Sequence, residues 1–169
     1  IGQAVAQRAR AFNMTILGVD PIVTQEQVAA LGVEKVSFDT LLSESDFITL
    51  HMPSLPDTSG FIGERELKAM RSTAFLVNTA RGPLVDERAL ADALREKQIA
   101  GAALDVFNDE PRTDSPFAGF DNVIVSPHIA GATVESTAKM AEAAVDNAIA
   151  VLSGKWPREI VVNGVYGDD

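Results

Sequence analysis

The sequence lacks cysteine altogether, and it has only two histidines among its 169 residues. The absence of cysteine excludes disulfide bonds, metal sites built on thiolates and catalysis by a thiol nucleophile. Two histidines are too few for a histidine-rich metal site, so we predict no metal centre. A protein without cysteine also fits the reducing cytoplasm, which is the location that we expect.

Basic residues are scarce as well. The chain has 14 Lys and Arg against 24 Asp and Glu, which gives a formal net charge of −10. A surface of this sign argues against binding to nucleic acid or to an anionic membrane. No apolar run approaches the ~20 residues that a membrane-spanning helix requires. The chain is long enough to bury a core and 46% of its residues are hydrophobic, which predicts a globular domain.

The most informative stretch lies between residues 74 and 94. An apolar run at 74–77 is followed by small and polar residues, and Asp86 then opens a segment with helical spacing. This order predicts a strand, a loop at its carboxyl end and a helix, and ligands bind at such loops in open α/β sheets. Arg81 lies in the predicted loop, where its five fixed donors suit a carboxylate.

The same order of strand and helix recurs along the chain. Further strands are predicted at 15–19, 33–36, 46–50, 99–106 and 122–125, with helices at 5–12, 24–31, 38–42, 64–70 and 133–152. This alternation predicts an α/β fold, a doubly wound parallel sheet with both faces covered. The carboxyl ends of these strands share one edge and carry a rim of polar residues: Asp20, His51, Thr79 to Arg81, Asp105 and His128.

The first twenty residues have the order glycine, helix, strand, acid. Gly2 and Asp20 are separated by close to the ~20 positions that a dinucleotide-binding βαβ unit requires. The first strand and the first two glycines of the G-x-G-x-x-G pattern would lie upstream of Ile1. The alternative is that Gly2 permits close helix packing and that Asp20 forms a turn at the end of the strand.

Three rim and loop residues could act together in one reaction. Arg81 can hold a carboxylate and polarise a neighbouring carbonyl, and His128 can transfer a proton near neutral pH. A carboxylate such as Glu110 beside that histidine would fix its tautomer and favour the imidazolium. With a hydride-carrying cofactor, the set suits the interconversion of a 2-oxo acid and a 2-hydroxy acid. Alternatively, His128 only ends a strand and Glu110 is a solvated turn residue.

Several segments resemble the D-isomer-specific 2-hydroxyacid dehydrogenase family. They are VNTARG at 77–82, GAALDVF at 101–107 with DEP at 109–111, SPHIAGAT at 126–133, LHMP at 50–53 and PDTSG at 56–60. The resemblance covers essentially the whole chain. Within the family it is strongest to the D-3-phosphoglycerate dehydrogenases, followed by the hydroxypyruvate and glyoxylate reductases. Pro83 departs from the glycine that is common there, which puts the local turn in doubt.

The resemblance implies a role for each matching residue. Arg81 would bind the substrate carboxylate and carbonyl, His128 would be the acid/base, and Glu110 would pair with His128. The implied cofactor is NAD. Its contacts would be Ile1 and Gly2 at the pyrophosphate, Asp20 at the adenosine ribose, Met52 and Pro53 on the adenosine side, Thr79, Ala80, Arg81 and Asp105 around the nicotinamide, and His128 to Gly131 closing over it.

The family pattern also implies how the chain is divided. Residues 1–132 would be the NAD-binding domain without its first strand, and 133–169 a crossover helix and a C-terminal return to a substrate domain. We expect the chain to be part of a protein of about 300 residues or more, a homodimer acting on a small-molecule substrate. Alternatives are an NAD-sensing corepressor that uses the fold as an interaction scaffold, and an inactive truncated product.

Overall fold

The computed structural model describes residues 1–155 of the chain. These residues belong to two compact units, one comprising Ile1–His128 and one beginning at Ile129. The structure therefore divides the chain a few residues before position 132, the boundary expected from the sequence. The predicted C-terminal return beyond residue 155 lies outside the described residues.

The first unit alternates strands with helices, as the apolar runs and cap residues predict. Its elements are α1 (Gly2–Ala11), β1 (Ile16–Gly18), α2 (Gln25–Ala29), β2 (Val33–Lys35), α3 (Phe38–Glu44), β3 (Phe47–Leu50), α4 (Glu64–Ala69), β4 (Phe75–Asn78), α5 (Glu87–Arg95), β5 (Gly101–Leu104) and β6 (Val123–Val125). Short 3-10 turns lie at Pro56–Thr58 and Gly82–Leu84. The predicted α/β class is confirmed.

The strands of this unit form two parallel sheets. Strands β3, β4, β5 and β6 pair in that order, with Leu50 opposite Asn78 and Asn78 opposite Leu104 at their carboxyl ends. Strands β1 and β2 form a separate pair. Within residues 1–155, β1 and β3 are therefore not joined, and the strands are divided between the two sheets at this point.

The core lies around β4 and α5. Leu76 of β4 is fully buried, and Leu90 and Leu94 of α5 pack in the same apolar cluster. Burying each such leucine contributes roughly 2 kcal/mol. Asp86 caps α5 by accepting hydrogen bonds from the backbone N–H groups of Arg88 and Ala89, both at 3.0 Å. The loop between β4 and α5 therefore has two rigid ends.

The described part of the second unit contains one long helix, α6 (Val134–Leu152). Thr133 caps it, because its Oγ1 accepts the backbone N–H of Ser136 at 3.1 Å. The predicted helix and its cap are thus confirmed. Within residues 1–155, every helix is too short or too polar to span a membrane.

Candidate active site

The buried side chain of Asn78 holds the conformation of the loop that follows β4. This side chain is buried, its Oδ1 accepts the backbone N–H of Ala80 at 3.0 Å, and its Nδ2 donates to the carbonyl oxygen of Arg81 at 2.9 Å. Both halves of the amide are therefore used to hold the turn that presents Arg81. The sequence interpretation left Asn78 out of the site. The available signal was a polar residue two positions after buried Leu76, on the inward-facing side of the strand.

Gly82 brings this loop against the loop that follows β5. A Cβ atom at Gly82 would lie 2.0 Å from the carbonyl carbon of Phe107 and 2.1 Å from its oxygen. No side chain fits there, because both obstacles are backbone atoms. The exposed Arg81 is thus adjacent to the start of the loop that carries Glu110.

Glu110 connects the loops after β5 and β6. Its Oε1 accepts the backbone N–H of Phe107 at 2.7 Å, and its Oε2 lies 2.6 Å from Nδ1 of His128. The hydrogen bond with His128, and then that from Phe107, lower the pKa of Glu110 below its ordinary value. The carboxylate is therefore ionised near neutral pH and can accept the Nδ1 proton of His128 in a hydrogen bond. With Nδ1 bonded to Glu110, Nε2 is the ring nitrogen left for a reacting group.

Asp105 fixes the backbone that presents His128. Its carbonyl oxygen accepts the backbone N–H of His128 at 2.8 Å, and its buried carboxylate accepts the Ser126 hydroxyl at 2.6 Å. His128 has a φ of 55°, in the left-handed region that non-glycine residues rarely adopt. Such a conformation costs about 1–3 kcal/mol and persists only where its surroundings enforce it. The sequence interpretation named Asp105 but not Ser126.

A second group of predicted residues lines an open cleft of about 310 Å³ near the start of α1. Its walls are formed by Ile1, His51, Met52, Pro53, Ser54, Thr79, Ala80 and Arg81. A Cβ atom at Gly2 would lie 3.4 Å from Cβ of His51, so the first turn of α1 packs closely on that wall. The first turn of α1 holds no acidic residue. Its free N–H groups and dipole therefore suit an anionic group such as a pyrophosphate.

His51 is a rim residue that the predicted site did not include. Its Nε2 lies 3.1 Å from Oγ1 of Thr49, and burial lowers the pKa of its imidazole. A neutral ring at this wall is compatible with the apolar contacts of a nucleotide. The strand-end position of His51 was the signal in the sequence.

Two predicted residues lie apart from these groups. Asp20 follows β1 and is not among the residues that line the cleft; its Oδ1 accepts the backbone N–H groups of Val23 and Ile22, which lower its pKa. The ionised carboxylate suits ribose hydroxyls as an acceptor and would repel a phosphate. Gly131 belongs to the second unit, where its carbonyl oxygen accepts hydrogen bonds from Thr133 and Ser136.

Comparison with known proteins gives the class of this fold and site. Residues 1–130 match the model of the D-isomer specific 2-hydroxyacid dehydrogenase NAD-binding domain. A solved D-isomer specific 2-hydroxyacid dehydrogenase from Lactobacillus delbrueckii ssp. bulgaricus, in its NAD-complexed form, superposes with a TM-score of 0.84 at 35% identity. That match covers 96% of this chain and 53% of the other. The chain belongs to the D-isomer specific 2-hydroxyacid dehydrogenase family, and residues 1–130 correspond to the NAD-binding domain of that family.

Relatives within the family carry more than one name. A glyoxylate reductase of Korarchaeum cryptofilum is 47% identical over 162 residues, which are 95% of this chain and 49% of that protein. A D-3-phosphoglycerate dehydrogenase of Methanocaldococcus jannaschii is 45% identical over 163 residues, 95% of this chain and 31% of that protein. The chain thus spans half or less of the length of these relatives.

Proposed function

We propose that the whole protein containing this chain interconverts a D-2-hydroxy acid and its 2-oxo acid with NAD. The observation that carries this proposal is the 2.6 Å pair of Glu110 and His128, held beside the loop that presents Arg81. A proton donor with a fixed tautomer and a carboxylate-binding guanidinium are what reduction of a 2-oxo acid needs.

Each residue has a defined part in the reductive direction. Arg81 holds the substrate carboxylate and orients the carbonyl, and the imidazolium of His128 gives its Nε2 proton to the carbonyl oxygen. The hydride that forms the new C–H bond at carbon 2 would come from NADH, held at the start of α1 and by Asp20. Glu110 stabilises the imidazolium before transfer. In the oxidative direction, neutral His128 takes the hydroxyl proton back.

The residues of the cleft, together with Asp20 after β1, support this choice of cofactor. The start of α1 would hold the pyrophosphate, and ionised Asp20 would accept hydrogen bonds from the adenosine ribose. No arginine follows Asp20 closely to pair with a 2′-phosphate. We therefore propose NAD(H) rather than NADP(H).

The names of two relatives support two candidate substrates for the whole protein, glyoxylate and D-3-phosphoglycerate. The glyoxylate reductase and the D-3-phosphoglycerate dehydrogenase are 47% and 45% identical to this chain. The sequence resemblance puts phosphoglycerate first and hydroxypyruvate or glyoxylate second. A role in serine biosynthesis follows if the phosphorylated substrate is the one turned over. We also propose a cytoplasmic homodimer, which light scattering of the whole protein would measure.

The test is turnover by the whole protein and by its His128→Ala variant. Glyoxylate, hydroxypyruvate and phosphohydroxypyruvate are each reduced with NADH and with NADPH. We expect one of them to be reduced with a clear preference for NADH, and His128→Ala to lose most activity at every pH. Cofactor binding with no turnover of any 2-oxo acid would overturn the proposal in favour of a scaffold, and equal kcat/KM for both cofactors would overturn the choice of NAD.

A further inference from the structure

The part of the loop around Glu110 is attached to α5 by the carboxylate of Glu87. Glu87, in the first turn of α5, accepts the backbone N–H of Asn108 on Oε1 at 2.8 Å and Nη1 of Arg112 on Oε2 at 2.5 Å. Asn108 and Arg112 stand two residues before and two residues after Glu110. The two points of attachment therefore bracket the residue that contacts His128.

This ion pair differs from the surface pair on the same helix. The side chains of Arg112 and Glu87 are 20% and 14% exposed, whereas those of Arg95 and Asp92 are 61% and 56% exposed. Exposed pairs contribute little because water screens them, but a shielded pair that also accepts a backbone N–H holds its partners in place. Arg112 further donates from Nε to the carbonyl oxygen of Asp114 at 2.7 Å, which closes the loop on itself.

The helix end of this attachment is rigid. Asp86 caps α5 one residue before Glu87, and Leu90 and Leu94 anchor the helix in the core. The loop is anchored further along by buried Phe117, but Glu110 itself is exposed, and among residues 1–155 its carboxylate is hydrogen-bonded to Phe107 and His128. Ordering loop residues costs conformational entropy, so an anchor to a rigid helix on either side of Glu110 favours one conformation of this segment.

We propose that Glu87 and Arg112 are positioning residues that hold the 108–112 segment so that the Glu110 carboxylate meets Nδ1 of His128. Neither residue touches the reacting atoms; both act through Glu110. The inference rests on the proposed function, in which His128 is the proton donor. Two further carboxylates are left unchanged in every variant below: that of Asp114, whose Oδ1 lies 3.7 Å from Nε of Arg112, and that of Asp105, which acts on Glu110.

The reference for the experiment is Glu110→Gln in the whole protein. Reduction needs the imidazolium, so kcat/KM falls as the pH rises and His128 loses its proton. Glu110→Gln removes the carboxylate charge that lies 2.6 Å from Nδ1 of His128, so we expect the midpoint of the falling limb to move to lower pH. Oxidation, which needs neutral imidazole, should gain at low pH.

The test variants are Glu87→Gln and Arg112→Met, with Arg88→Met as the matched control. Arg88 is on the same helix, and its guanidinium makes no ion pair with any of residues 1–155. We expect both test variants to move the midpoint in the same direction as Glu110→Gln and by less, and Arg88→Met to leave it in place. In a Glu110→Gln background, Glu87→Gln should add no further shift, since its effect passes through Glu110.

The outcomes separate this inference from the proposed function. An unmoved profile in Glu110→Gln would overturn the acid/base pairing itself. A shift in Glu110→Gln with none in Glu87→Gln and Arg112→Met would overturn only the positioning role. A lower Tm without a pH shift in both test variants would also overturn only the positioning role. It would show that Glu87 and Arg112 stabilise the loop without placing Glu110.

Discussion

Arg81 is exposed, and its guanidinium Nη1 donates to the carbonyl oxygen of the adjacent Ala80 at 2.6 Å. Among residues 1–155 the remaining donors of the fork have no hydrogen-bond partner, so they can bind a carboxylate in two parallel hydrogen bonds, a geometry that lysine cannot reproduce. We therefore expect Arg81→Lys to lose about 3 kcal/mol of transition-state stabilisation, roughly a hundredfold in kcat/KM for the 2-oxo acid.

Steady-state kinetics of the whole protein check this expectation, with Arg88→Lys as the control for a neighbouring exposed arginine. The affinity for NADH, measured by fluorescence titration, should change far less than kcat/KM. A near-normal kcat/KM in Arg81→Lys would contradict the assignment of Arg81 to the substrate carboxylate.

The sequence points to residues whose chemistry is carried by their own side chain, and Arg81, Glu110 and His128 were proposed on that ground. The structure pairs Glu110 with His128 at 2.6 Å, and the catalytic roles of all three remain predictions. Asn78 and Glu87 had no such signal, since their contribution lies in their partners. The two partners of Glu87 are 21 and 25 positions further along the chain, a distance that no periodicity reveals.

At the scale of elements, the residues of the candidate site are brought together by loops rather than by strands. The turn after β4 and the loop after β5 are in contact at Gly82, whose backbone packs directly against the backbone of Phe107. Gly82→Ala would place a methyl group 2.0 Å from a carbonyl carbon, and one of the two loops must move. Overpacking of this kind costs about 1–3 kcal/mol.

The expected result for Gly82→Ala is a lower Tm of the whole protein together with loss of turnover. Gly63→Ala is the control, because a Cβ atom there would meet its nearest neighbour at an ordinary 3.5 Å. Equal Tm values for the two variants would show that the loops do not meet as described.

The helices and strands themselves follow from local signals. Thr24, Asp86 and Thr133 each cap the helix that they precede, and the apolar runs of β3 and β4 are bounded by polar residues. The contact at Gly82 had no such signal, because glycine in a turn is common and its close neighbour is 25 positions away in the sequence.

At the scale of the whole molecule, the two parallel sheets of the first unit decide the stability of the isolated chain. Strand β1 pairs with β2 and β3 pairs with β4, so within residues 1–155 each has an edge without a partner strand. Large apolar side chains such as Phe12 and Phe47 are exposed as well, at 81% and 56%. Unpaired backbone groups on apolar strands favour aggregation over a folded monomer.

We therefore expect residues 1–169, expressed alone, to show no cooperative thermal transition and no NADH binding. The net stability of a domain is only about 5–15 kcal/mol, and two unpaired strand edges are a large loss against it. Calorimetry and fluorescence titration measure the two properties, with the whole protein as the positive control. A cooperative transition accompanied by NADH binding would contradict the expectation, and it would mean that the sheets of β1–β2 and β3–β6 fold without a strand to join them.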